Sequence, residues 1–326
     1  MQRREFLSVL GGAAVAWPLA ARAQQPAMPV IGFLNPTSAD GFSFQMAAFR
    51  QGLQDVGYID GQNVRIEPSW AEGQYDRLPS LAADFVRRKV NVIAASGADS
   101  AFAAKAATTT IPIVFDTASD PVKVGLVTSL ARPGGNLTGA SRLSVELLPK
   151  RLKLVGEVVP NTTVTGLLVN PAARSAAKAV SDVESAARAI GRKIKVLNAG
   201  SEREIDVAFE ALSEMRADGL LIATNQFFSS RTKKLAALTV RHAIPTVYQS
   251  REFAAAGGLM AYGPNDADAY KLLGVYVGRI LKGARPADLP VEQLARIELV
   301  INLKTAKTLG LKIPPAMVAR ADEVIE

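Results

Sequence analysis

The sequence has no cysteine and one histidine, His242, among its 326 residues. Without thiols there is no disulfide framework, thiolate zinc site, iron–sulfur cluster or cysteine nucleophile. One imidazole leaves little room for a histidine metal site or a Ser-His-Asp triad. Aromatic residues are only 6% of the chain, which predicts an aliphatic core. Lys+Arg outnumber Asp+Glu by 38 to 30, for a formal charge of +8, yet no polybasic run occurs, so nucleic acid is not an expected partner. A phosphate-binding glycine fingerprint, a P-loop and a Gly-x-Ser-x-Gly elbow are also missing. No cofactor is expected.

What is present describes a packed globular protein: 48% hydrophobic and 21% charged residues, in a chain long enough for two domains at roughly 100–200 residues each. Residues 1–23 read as an export signal, with Arg3 and Arg4, an apolar stretch over 6–20, and Ala21-Arg22-Ala23 as a small-x-small cleavage site before Gln24. The apolar stretch is too short to span a bilayer. The paired arginines resemble the twin-arginine signal, with an ordinary Sec signal as the alternative; either route predicts a periplasmic mature protein.

Short β-rich runs then alternate with helical patterns, which predicts βαβ units, parallel sheets and the α/β class. Strands are expected at 30–34, 64–68, 90–95 and 113–115, each a nearly continuous apolar run suited to a sheet covered on both faces. The second half repeats the scheme. Asn35-Pro36 ends the first strand and Asn170-Pro171 follows the run at 164–169, 135 positions on; Ile111-Pro112 recurs as Ile244-Pro245, 133 positions on. Two similar doubly wound lobes follow, with ligand expected at the carboxyl ends of the strands.

Several stretches carry a family resemblance: Ile111-Pro112-Ile113-Val114-Phe115 with Asp120-Pro121-Val122, the run from Ser129 through Gly139, Arg251-Glu252-Phe253 with Gly257-Gly258-Leu259-Met260, and Glu298-Leu299-Val300-Ile301-Asn302. They resemble the ABC-transporter substrate-binding proteins of the tryptophan/tyrosine type. The resemblance implies the type I periplasmic binding protein fold, two doubly wound parallel-sheet lobes joined by a three-crossing hinge. It implies lobe one from 29–141 plus 263–290 and lobe two from 142–262 plus 291–326. It further implies a receptor, expected to be monomeric and not an enzyme, that closes on a small solute such as an amino acid and delivers it to an ABC permease in the inner membrane. Alternatives from other classes are an exported enzyme on the same lobes and a sensor that reports solute to a membrane receptor. Gly257, Gly258 and Gly263 are either hinge or turn glycines.

The strand-end loops supply the candidate ligand-binding residues. From lobe one these are Asn35, Thr37 and Ser38 after the first strand, Ser96, Gly97, Ala98 and Ser100 after the third, and Asp116 and Thr117 after the fourth. A helix expected at 100–108 would offer free N–H groups to a carboxylate, or Asp99 or Ser100 caps it. From lobe two come Asn170, Asn225, Gln226, Phe227 and Tyr248, the aromatics serving either as ligand contacts or as packing. In the resembling family the loop at Thr224-Asn225-Gln226 often carries an acidic residue for a ligand amine; its absence here admits a neutral or differently charged solute. Arg251 and Glu252 are expected to pair with each other, and His242 to sit at a helix C-terminus.

Overall fold

A computed structural model of the chain describes residues 28–160 and 163–326; the expected signal at 1–23 lies outside them. The first sheet contains β1 (Val30–Asn35), β2 (Arg65–Trp70), β3 (Val92–Ser96), β4 (Ile113–Thr117), β5 (Leu137–Ser141) and the late strand β11 (Glu292–Gln293), in the order β11-β5-β4-β3-β1-β2. The second contains β6 (Val164–Val169), β7 (Lys193–Asn198), β8 (Gly219–Ile222), β9 (Thr246–Tyr248), β10 (Met260–Pro264), β12 (Ile297–Asn302) and β13 (Glu323–Ile325), in the order β13-β12-β10-β9-β8-β6-β7. All neighbouring strands are parallel except β10 and β12. The order 2-1-3-4-5 is repeated as 7-6-8-9-10, so the dipeptide repeat reports a repeated fold.

The helices are α1 (Ser43–Asp55), α2 (Leu78–Arg87), α3 (Gly97–Ala107), α4 (Leu148–Val158), α5 (Ala176–Ala189), α6 (Glu202–Glu214), α7 (Gln226–Ser229), α8 (Thr232–Arg241), α9 (Arg251–Ala255), α10 (Asp266–Leu281), α11 (Leu303–Thr308) and α12 (Pro315–Ala319). Strands β3 and β4 are buried along their whole length, as expected of parallel strands with helices on both faces. α10 starts where the Asn265 side chain accepts the Ala267 N–H at 2.9 Å, with Asp266 and Asp268 in its positive first turn. It lies along α1 at close range. A Cβ on Gly52 would strike the Lys271 carbonyl, and one on Gly274 the Phe49 carbonyl.

The core is not purely aliphatic. Phe33, Phe42, Phe49, Trp70 and Tyr270 form one aromatic cluster behind the first sheet's strand ends, with centroid spacings of 5.2–6.1 Å. A low aromatic fraction gave no hint that the rings would gather there. Sheet membership also moves two expected limits: β10 continues to Pro264 in the second sheet, and Glu292–Gln293 pairs with β5 in the first. Gly257 and Gly258 lie in the turn between α9 and β10, inside the second lobe, whereas Gly263 is in β10, just before the chain exchanges sheets.

Candidate functional site

Loops from the carboxyl ends of both sheets meet. The side-chain amide of Gln226, after β8, donates to Tyr270 OH at 3.0 Å and Asp116 Oδ2 at 3.3 Å. Asp99 in α3 accepts the Arg174 backbone N–H at 3.2 Å, and the Arg174 guanidinium lies 4.3 Å over the Phe102 ring. Gly41, after β1, packs against the Ser230 backbone. The lobes are closed on one another across a cleft.

Two buried arginines hold the segments that pass between lobes. Arg142, immediately after β5, binds both oxygens of Asp116 at 2.9 Å and one of Asp266. Arg151, in α4 and fully buried, donates to the Tyr262 carbonyl, the Ser144 carbonyl and the Ser144 hydroxyl at 2.7–2.9 Å. Burial pushes its pKa down to about 10, against the charges of Tyr248 and Asp266, so it remains a cation at neutral pH. The first set ties the passing chain to lobe one, and the second ties it to lobe two.

α3 begins without a side-chain cap. Gly97, its first residue, has φ +82°, and a Cβ there would stand 2.9 Å from Gln226 Cγ. Ser96 Oγ is bonded to Tyr270 OH at 2.8 Å. Ser100 Oγ, Asn35 Nδ2 and Tyr75 OH are buried with no hydrogen-bond partner. Burial raises the Tyr75 phenol pKa, with Asp99 adding and the nearby Phe227 backbone opposing. Burial also lifts the Asp99 carboxyl to about 6, against the Arg174 N–H and charge. Buried polar atoms are normally satisfied; these are exceptions.

The other candidates are more fully engaged. Asn35 Oδ1 accepts from Thr37 N and Thr37 Oγ1 at 2.8 and 2.9 Å, and Thr117 Oγ1 accepts from Ser119 N at 3.2 Å. Asn170 Oδ1 accepts from Ala172 N, while Asn225 caps α7 through the Phe228 N–H. Asp116 is committed to Arg142. Phe227 is buried between Phe228 and the Arg231 guanidinium, which lies 3.9 Å over its ring. Tyr248 is fully buried in the second lobe's core, its ring edge-on to Phe253 and its hydroxyl 3.4 Å from Ser229 Oγ. Arg251 pairs with Glu323 rather than Glu252, because β13 brings Glu323 alongside α9. His242 is the residue at the end of α8, its Nδ1 2.7 Å from Ser213 Oγ.

Two separate cavities open at the strand ends. One, of about 30 Å³, is lined by Gly97, Ala98, Asp99, Asn225 and Gln226 among others. The second, of about 910 Å³, is lined by residues including Ser38, Gln45, Ser229, Ser250, Glu252 and Asp266. Gln45, Tyr75, Ser250 and Asp266 were not among the expected site residues. No local pattern marks them, since they lie in helix turns and loops that only the folded chain brings to the cleft.

A family model for ABC transporter substrate binding proteins matches residues 30–325. The chain belongs to that family. It is therefore a solute receptor of an ABC transporter, with a small-molecule ligand and an ABC permease as partner, and the family is one of receptors rather than enzymes. A curated relative, the tyrosine-binding protein of Clostridioides difficile, is 29% identical over 269 residues, covering 81% of this chain and 76% of the relative. A conserved domain protein from Vibrio cholerae superposes with TM-score 0.81 at 26% identity, covering 91% of this receptor and 99% of that chain. An ABC domain from Streptococcus pneumonia solved with L-Trp gives 0.78 at 24% identity, with the same coverage; it shares the fold. Receptors of the family generally act outside the cytoplasm, and among the described residues no helix is long and apolar enough to cross a membrane.

Proposed function

We propose that this receptor is exported with removal of residues 1–23, works as a non-catalytic monomer in the periplasm, and binds an amino acid or related carboxylate between its lobes. The carboxylate lies at the start of α3. The observation that carries this reading is the uncapped N-terminus of α3 beside the buried, unpartnered Ser100 Oγ and Asn35 Nδ2. Free N–H groups and the helix dipole favour an anion there. Kinship with a tyrosine-binding protein supports an amino-acid solute.

Calorimetric titration of the exported protein with a panel of amino acids, ω-amino acids and simple carboxylates tests this. At least one member should bind, and Gly97→Val should abolish that binding while circular dichroism shows the fold intact. The valine would place a β-branched side chain at φ +82° and against Gln226. Binding by none of the panel, or full affinity in Gly97→Val, would overturn the assignment. N-terminal sequencing of the exported protein should begin at Gln24.

A further inference from the structure

Gln226 belongs to the second lobe, yet its side chain is buried against the start of α3 in the first. Its Cγ stands over the bare Cα of Gly97, so that a Cβ there would be 2.9 Å from it. Its amide nitrogen reaches further, donating to Tyr270 OH at 3.0 Å and to Asp116 Oδ2 at 3.3 Å. The room that a glycine leaves at the start of α3 is thus taken by this chain's own methylene. What remains between the lobes at that point is about 30 Å³, walled by Gly97, Ala98, Asp99, Asn225 and Gln226 among others. Pockets that hold small molecules run to about 300–1,000 Å³; a space this size suits water and is too small for an amino acid.

The Gln226 side chain can leave while its backbone stays. Asn225 caps α7 by accepting the Phe228 N–H at 3.0 Å, and the Gln226 carbonyl accepts the Ser230 N–H at 3.1 Å, so the turn is held without help from the amide. Its two partners do not depend on it either. Tyr270 OH is also bonded to Ser96 Oγ at 2.8 Å, and both oxygens of Asp116 are held by Arg142. Rotation about side-chain bonds, once the lobes part, is enough to clear the start of α3. We propose that the Gln226 side chain is a built-in competitor for the solute: in the solute-free receptor it fills the seat at the start of α3 and bonds the lobes together there, and a solute binds only by evicting it. Resting on the carboxylate position proposed above, this makes Gln226 a residue that opposes binding, whereas the sequence alone reads it as a solute contact. The two roles have opposite signs. Truncating a contact weakens binding. Truncating a competitor strengthens it, because the measured affinity is the intrinsic one scaled by the fraction of receptor whose seat is clear.

Calorimetric titration of the exported parent, Gln226→Ala and Gln226→Met with L-tyrosine, L-leucine, 5-aminovalerate and valerate tests this. Any of these that binds the parent should bind Gln226→Ala about tenfold more tightly, the order expected when two competing hydrogen bonds are lost, one of them to a carboxylate. Gln226→Met keeps the length of the side chain and loses its donors, so its affinity should fall between the other two; it carries the comparison if alanine disturbs α7. A solute bound by Gln226→Ala and not measurably by the parent would support the competitor most directly. Affinity equal to the parent's or weaker in both variants, with circular dichroism showing the fold intact, overturns it and leaves the carboxylate site standing. Binding of no member of the full panel to any of the three proteins overturns the carboxylate site, and the competitor with it.

Discussion

Asp99 spans the cleft as an acceptor for the Arg174 N–H, and burial holds its carboxyl up to about 6, above its ordinary value of 3.8. A carboxylate whose pKa is raised on folding binds protons more readily when folded than when unfolded. Its ionisation therefore costs stability: the cost is absent below about pH 4, grows between pH 4 and 6, and is complete above. Asp99→Asn keeps the acceptor and removes the charge. The variant should be more stable than the parent at pH 7.5, by about 3 kcal/mol for the rise from 3.8 to about 6 at about 1.4 kcal/mol per pH unit, and close to it near pH 4. Denaturant melts of both proteins across that range check the sign; a difference independent of pH would mean Asp99 titrates normally.

At the scale of elements, the segment leaving β5 is held by Arg142 between two aspartates. Replacing it with leucine strands Asp116 and Asp266 in the interior without their cation, and breaking a buried pair on one side costs about 3–5 kcal/mol. Arg142→Leu should lose that much by chemical denaturation, and adding Asp116→Asn should recover part of it. This network also explains which parts of the fold were legible in the sequence. Apolar runs located β1, β3 and β4, but each expectation stopped one or two residues early, at Leu34, Ala95 and Phe115. The strands continue into Asn35, Ser96, Asp116 and Thr117, all buried: Ser96 and Asp116 are bonded to Tyr270 and Arg142 from distant segments, while Asn35 and Thr117 accept from Thr37 and Ser119 two residues on. Hydrophobic pattern reports burial of apolar residues; it is silent on burial that depends on a distant bond. For the same reason Asp116 read as a free ligand group, and Tyr270, which partners Ser96 and Gln226, was not singled out at all. The α3 loop was legible as a candidate site because glycine before an alanine-rich helix leaves its signature in local sequence. Tyr75 and Gln45 leave none.

The whole molecule turns on how the two lobes meet. Gln226 gives the closed form side-chain hydrogen bonds from lobe two to lobe one in the cleft, reaching Asp116 and Tyr270. Gln226→Ala removes them and should shift the solute-free protein toward the open form, seen as a larger radius of gyration in X-ray scattering than that of the parent. Equal radii in the two solute-free proteins would show that closure does not depend on this bridge.

The exchange of the chain between sheets also sets an order of assembly against the order of synthesis. Five of the first sheet's strands are made before any of the second, yet the helix that covers them, α10, and their edge strand, β11, lie beyond Asp266. Until α10 arrives, α1 has no partner across Gly52, and the apolar surface of Phe49, Leu53 and the adjoining strands stays uncovered. The N-terminal lobe of a growing chain would ordinarily fold first; here it must wait until most of the second lobe has been made. A newly made chain therefore remains unfinished almost to its last residues, during which it is open to holding factors and to threading across a membrane. A chain that crosses already folded must instead be handed over only after synthesis is complete.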